Sequence, residues 1–215
     1  MSLNITTKTA QDVANEVKRQ FGDESGVQVK DADILRWINN GQKEIVVKNK
    51  VLKGKATLPA VPGTADYTLP NINIAVIESI HWEGIPIPGI PYIEVETYIH
   101  NNVALNLNAA KPLIWYEWAG VVTFWPTPQQ VDTISVLYTK VPDLINLLTD
   151  TLMLPDKYFN SLVKFVLAQA YEMDEDWEAS NYKTQQMEAD LNTMADEERT
   201  TSNMSYPVIN EVVEY

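Results

Sequence analysis

From Thr9 to Phe21 the apolar residues recur at helical spacing. Ala10, Val13, Ala14, Val17 and Phe21 fall at i, i+3, i+4, i+7 and i+11, which is one face of a 3.6-residue turn. Gly22 supplies the stop, and Gly26 lies in the turn before the next segment. Residues 31–47 repeat the pattern with Ile34, Leu35, Ile38, Ile45 and Val46 on one side, Asp31 at the expected N-cap and Gly41 inside the helix. Glycine in a helix interior costs about 1 kcal/mol against alanine, so one at the centre usually marks close packing with another backbone. Trp37 and Gly41 are therefore the candidate helix-packing or subunit-contact residues. Two amphipathic helices with a short polar link predict an antiparallel hairpin.

The pattern then changes period. Residues 56–142 hold ten of the twelve prolines and read as β-structure. Tyr67-Thr68-Leu69-Pro70 ends a strand, Ile74–Trp82 is rich in strand formers, and Glu83-Gly84 is a turn. Ile85-Pro86-Ile87-Pro88 runs back as an edge, where proline is tolerated. Leu113–Trp118, Val121–Trp125 and Thr133–Tyr138 complete the set, with Ala119-Gly120 as a hairpin turn. Ile134, Val136 and Tyr138 alternate with Thr133, Ser135, Leu137 and Thr139, so that strand has a wetter face, and Tyr92–Ile99 fits a short helix crossing the sheet.

Helical spacing returns at Pro155 and Asp156, with proline in the first turn where its missing N–H does no harm. Leu162, Phe165, Val166, Gln169, Ala170 and Met173 keep the period, and Met187, Leu191, Met194 and Ala195 make a narrower stripe within a second helix, about Trp177–Arg199. The expected architecture is α+β: a four-helix bundle with an inserted small antiparallel β-domain and an extended C-terminal arm. The expected boundaries are 1–55 for the first helix pair, 56–150 for the β-domain, 151–199 for the second helix pair and 200–215 for the arm. Thr200-Thr201-Ser202-Asn203 reads as a hinge into that arm.

Composition narrows the chemistry. The chain lacks cysteine, which removes disulfides, thiolate metal sites and cysteine nucleophiles. The start, Met-Ser-Leu-Asn-Ile-Thr-Thr-Lys, has no signal-peptide layout, and no apolar run approaches the ~20 residues that span a bilayer. A soluble protein made in the cytoplasm, with no membrane partner, is the expectation. The net charge of −13 is unevenly spread: residues 1–55 carry +3, residues 56–171 carry −6 and residues 172–215 carry −10. So acidic a chain does not hold nucleic acid by phosphate neutralisation. Lys48, Lys50, Lys53 and Lys55 form a local basic cluster, either a solvated helix end or a docking patch for an acidic partner.

Catalytic constellations are sparse. Neither a phosphate loop, a nucleophile elbow nor a His-Glu-x-x-His motif is present. The two histidines, His81 and His100, could form a metal site only with Glu83 or Glu96, and ordinary rim histidines are the plainer reading. Glu172, Asp174, Glu175, Asp176 and Glu178 offer a carboxylate pair for a cell-wall hydrolase of the glycosidase type, against the alternative of a solvated run. Trp115, Trp118 and Trp125 suggest a carbohydrate-binding platform if Trp115 and Trp125 meet across the hairpin, against ordinary core aromatics. The expectation is no enzyme, no metal and no cofactor.

Several segments, taken in order, resemble one family. They are Asp33-Ile34-Leu35-Arg36-Trp37-Ile38-Asn39-Asn40-Gly41-Gln42-Lys43-Glu44-Ile45, Tyr67-Thr68-Leu69-Pro70, Val121-Val122-Thr123-Phe124-Trp125-Pro126-Thr127-Pro128, Val136-Leu137-Tyr138-Thr139-Lys140-Val141-Pro142 and Leu152-Met153-Leu154-Pro155-Asp156-Lys157-Tyr158. Over about residues 9–195 the chain is similar to the head–tail adaptor proteins of short-tailed phages, variously called tail tubular A-like, gatekeeper or connector proteins. The resemblance implies a structural virion protein in a ring, twelve copies in those proteins, between the portal and the tail nozzle. Genomic DNA passes through such a ring without tight binding, and synthesis is in the host bacterial cytoplasm. It also implies that the C-terminal segment clasps the portal. The candidate arm residues are Tyr206, Pro207, Val208, Ile209, Val212, Val213 and Tyr215, rich in β-branched types yet too short to fold alone.

Overall fold

In a computed structural model the chain is described over residues 7–69, 73–102 and 111–204. It divides into two units: residues 1–49 with 142–215, and residues 50–141. The described residues form five helices and two antiparallel sheets.

In the first unit α1 (Ala10–Phe21) opens with a capping box, in which Thr9 and Asp12 satisfy each other's backbone N–H groups. Its next orphan donors are met from far along the chain. The Ala10 amide donates to the Asp150 carbonyl at 3.0 Å and the Gln11 amide to the Leu148 carbonyl at 2.7 Å. Ala10, Val13, Ala14 and Val17 are fully buried. In the link that follows, the Asp23 carboxylate accepts the amides of Val27, Gln28 and Val29 at 2.8–2.9 Å. These bonds, that from Val29 foremost, hold its pKa below the ordinary carboxylate value. α2 (Asp31–Asn49) begins at Asp31, the residue expected to cap it, so the cap position falls on Lys30. The Lys30 carbonyl takes the first helical bond, from Ile34, while Asp31 pairs with Lys18 at 2.6 Å.

A 3₁₀ turn at Asp156–Tyr158 leads into α4 (Phe159–Met173), followed by α5 (Trp177–Met204). The expected four-helix bundle is not what these helices make. A bundle gives each helix one apolar stripe facing a shared axis. Here α4 is the axis: α1, α2 and α5 all pack against it, while α1 and α2 touch one another only slightly. Ser161, Leu162, Val163, Val166, Leu167, Ala168 and Ala170 are buried, which is most of the way round the helix. The single stripe expected there is thus too narrow, and its last member, Met173, is exposed. A fifth helix, α3 (Tyr92–Asn101), belongs to the other unit. The C-terminal boundary also moves. α5 is helical through Met204, so residues 200–203 are helix where a hinge was expected.

Gly41 explains how α2 reaches α4. A Cβ built on it would lie 2.7 Å from Leu162 Cδ1 and 2.7 Å from Phe165 Cδ1. Only a side-chain-free position lets the α4 side chains lie on the α2 backbone.

In the second unit β1 (Lys53–Ala60), β7 (Asp132–Lys140), β3 (Ile74–Trp82) and β4 (Ile85–Ile87) make a sheet in the order β1-β7-β3-β4. β2 (Asp66–Thr68), β6 (Val121–Trp125) and β5 (Ile114–Trp118) make a second, ordered β2-β6-β5. The β5–β6 turn at Ala119 and Gly120 has φ of 51° and 79°, the paired positive values of a primed hairpin turn. Ile80, Trp82, Ile134, Val136 and Tyr138 of the first sheet share a core with Tyr67, Val122 and Phe124 of the second. Phe124 sits edge-on to both Tyr67 and Trp82, with ring centroids 5.5 and 6.2 Å apart.

Gly41→Leu is expected to destabilise the first unit by about 1–3 kcal/mol, the usual cost of overpacking. The penalty should shrink in a Phe165→Ala background, because the two sites touch. Urea unfolding of the four variants of that cycle checks it, and additive losses would show that Gly41 is not held by Phe165. A pH dependence is also expected. Asp23, Asp150 and Asp156 all have folded pKa values below the ordinary carboxylate value. Their stabilisation is complete above that ordinary value and disappears as pH falls through the folded value. Asp23→Asn should lower the thermal midpoint at neutral pH and flatten the acid limb of a midpoint-against-pH curve.

Candidate interaction surfaces

Residues 142–155 form a strap across the first unit, held by side chains of α2. Asn39 donates through Nδ2 to the Ile145 carbonyl at 2.9 Å and accepts the Ile145 amide at 2.8 Å. The fully buried Gln42 accepts the Met153 amide at 2.8 Å. Asp150 accepts the amides of Leu147 and Asn146, which lower its pKa, Leu147 first. At the strap's end Asp156 takes the Thr7 hydroxyl and the amides of Thr7 and Lys8. With its backbone so secured, the strap leaves Leu144 and Leu147 exposed to solvent. Asn39 and Gln42 were not read from the sequence as anchors. Polar residues near a helix's apolar face were the available signal, since a buried amide needs partners.

Of the sequence candidates, Trp37 and Gly41 are both buried on the α2 face that also carries Ile34, Ile38, Ile45 and Val46. Tyr206, Pro207, Val208, Ile209, Val212, Val213 and Tyr215 lie outside the described residues. The basic cluster is divided: Lys48 belongs to α2 and pairs with Glu188 of α5 at 3.1 Å, while Lys50, Lys53 and Lys55 belong to the second unit. Lys53 pairs with Glu78 at 3.3 Å. Burial pushes the Glu78 pKa up, but the Thr139 hydroxyl and the Lys53 ammonium bring it below its ordinary value.

The carboxylates from Glu172 to Glu178 surround the α4–α5 turn, and all five are exposed. Asp176 caps α5 by accepting the Ala179 amide at 3.0 Å. A glycosidase acid needs burial to keep its proton near neutral pH, and nothing here buries one. His81 is engaged by the Ser79 hydroxyl at 3.1 Å and the Gly84 carbonyl at 3.2 Å, while Glu83 pairs with Lys111. No cluster of three or more His, Cys, Asp or Glu suited to a metal occurs among the described residues. No helix among them is long and apolar enough to cross a membrane.

The tryptophans separate. In the β5–β6 register Trp115 faces Phe124, whereas Trp125 faces Ile114. Directly opposed residues share a face and neighbours along a strand do not. Trp115 and Trp125 are therefore on opposite faces, and the platform weighed against ordinary core aromatics does not form from this pair. Trp115 packs on the core, donates through Nε1 to the Ile87 carbonyl at 3.0 Å, and lies against Gly89, where a Cβ would come within 2.7 Å of its ring. On the outer face α3 lies over the hairpin. Tyr98 meets Trp125 edge-on at 5.8 Å, Val95 is buried, and Tyr92 stacks on Trp118 at 4.3 Å. Tyr116 joins the latter pair at 5.9 Å. Tyr92, Tyr116 and Trp118 were missed as a group. Tyr116 and Trp118 alternate on one strand face, and a helix that buries Val95 cannot also bury both Tyr92 and Ile93.

Among curated proteins the chain finds no match. A protein-family model described as the SU10 adaptor protein matches residues 8–209. That span covers both units, and it bears out the resemblance to phage adaptors drawn from the ordered segments above. The chain belongs to the SU10 adaptor protein family, whose members are structural virion adaptors rather than catalysts.

Proposed function

We propose that this adaptor is one subunit of a ring at the head–tail junction, set between the portal and the tail nozzle, with genomic DNA passing through its channel. The observation that carries the reading is the near full-length family match. Twelve copies, a short-tailed virion and synthesis in the host bacterial cytoplasm belong to the same proposal. Charge supports it in two ways. An acidic chain of net charge −13 leaves DNA free to slide, because phosphate retention needs clustered Lys and Arg. The +3 of residues 1–55 against the −10 of residues 172–215 supplies complementary patches for repeated contacts between copies.

Residues 205–215 are proposed as the portal-docking arm, with Tyr206, Pro207, Val208, Ile209, Val212, Val213 and Tyr215 buried against the portal by strand addition or in a groove. Because α5 is helical through Met204, the arm is taken to start beyond it. Gly41 and Trp37 serve packing within the subunit in this reading, and no cofactor or metal takes part.

Two outcomes are expected. Free subunits should sediment largely as monomers at micromolar concentration and physiological salt, since their charge makes them repel one another. They should assemble into rings when mixed with the portal encoded by the same phage genome, and stable rings without portal would overturn this order of assembly. Deleting residues 205–215 should leave the thermal midpoint nearly unchanged and abolish co-sedimentation with portal. A truncated chain that still co-sediments as wild type would move the docking role to the helical unit.

A further inference from the structure

Among its described residues the second unit exposes an organised apolar patch. Tyr92 and Trp118 are stacked within 24° of parallel yet are 50% and 60% exposed, and Ile93, the next residue along α3, is 88% exposed. Single exposed apolar residues need no explanation, but a contiguous, pre-stacked group marks a contact surface. Glu94 and Glu96, on the α3 helix that carries Tyr92, are exposed, and no cation is paired with them among the described residues.

The same unit carries the complementary surface. β1 is the edge of its sheet, hydrogen-bonded on one side to β7. It exposes Lys55 and, on the same face, Lys53, whose ammonium also pairs with Glu78, with Lys50 just before it. The patch and the lysine edge are far apart in the strand order. From β1 the sheet runs through β7 and β3 to β4, and the Gly89–Trp115 bridge then leads on to β5. One copy therefore cannot close the two surfaces on each other through neighbouring strands.

We infer that in the assembled ring the Tyr92–Tyr116–Trp118 patch of one copy receives the Lys53–Lys55 edge of the next copy. The inference rests on the ring reading above and names the faces it would use. A lysine stem covers aromatic surface while its ammonium sits over a Tyr or Trp face or meets Glu94 and Glu96. Patch against patch would instead bring the glutamates of two copies together, so a two-fold pair is disfavoured. A contact between two different faces repeats head to tail, which is the requirement for a closed ring.

The absence of native cysteine makes the test clean. The full-length Ile93→Cys/Lys55→Cys double variant is oxidised at millimolar concentration, where weak encounters are trapped, and resolved without reductant. A ladder of dimers, trimers and higher chains is expected, with each single variant giving at most dimers. Adding Glu94→Lys and Glu96→Lys should remove the ladder, and Lys50→Glu with Lys53→Glu should restore it. Sedimentation of the unmodified chain at the same concentration separates the two readings. Oligomers without a ladder would overturn these faces and leave the ring standing, whereas monomers without a ladder would overturn both the faces and self-association of the free chain. Slow maleimide labelling of monomeric Ile93→Cys, with no ladder, would instead show this face covered within its own chain and overturn the inference.

Discussion

The close approach of α2 to α4 at Gly41 is the constraint on which the helical unit depends. Leu162 and Phe165 occupy the space that a Cβ would need. That contact fixes α2 on one side of α4 and leaves the other sides for α1 and α5. A hub helix surrounded in this way buries residues most of the way round, which is why α4 has no polar face comparable to that of α1. The strap of residues 142–155 then closes over α2 through Asn39 and Gln42 and supplies the carbonyls that cap α1. The start of the chain is thus completed by residues more than a hundred positions later, and the β unit is spliced between the two halves of one hydrogen-bonded system.

The β unit follows a different rule. Its core is made where two small sheets share a layer of aromatic and branched residues, with Phe124 at the junction. Neither sheet could bury its inner face alone, and packing face to face removes both from water. α3 covers only part of the outer face of the second sheet. It buries Val95 and shelters Trp125, and leaves Tyr92, Ile93 and Trp118 to solvent. For a protein whose family serves as a virion adaptor, an incompletely covered sheet is consistent with surface kept for other subunits.

Charge and burial agree about the kind of function to expect. The carboxylates that carry shifted pKa values, such as Asp23 and Asp150, are spent on backbone amides of turns and straps. Those at the α4–α5 turn are exposed and, for Asp176, serve as a helix cap. Polar groups here hold loops in place, and none of the sequence-proposed acids has the buried setting that proton transfer requires.

Much was legible in the amino-acid sequence because it depends on local periodicity. The α1 stripe, the Met187–Leu191 stripe of α5, the Ala119-Gly120 turn and the inner face of Ile134, Val136 and Tyr138 follow from spacing and turn chemistry alone. The ordered segments, which run from Asp33 to Tyr158 within the matched span, also led to the adaptor family. Helix arrangement was not legible in the same way. A stripe shows that a helix is buried on one side, but a helix buried on several sides has no contrast to read, so α4 passed for one member of a bundle. The separation of the tryptophans was hidden for a related reason. Which face a strand residue occupies depends on register, and a shift of one position moves every side chain to the other face. Residues 200–203 carry no apolar period, yet they continue as helix after a long preceding run. There the cooperativity of helix extension outweighs the weak propensities of Thr and Ser. Local pattern therefore determined the elements and the family, while the tertiary structure alone decided which element is the hub and which aromatics share a face. Those choices depend on contacts between residues far apart in the chain, which no local period records.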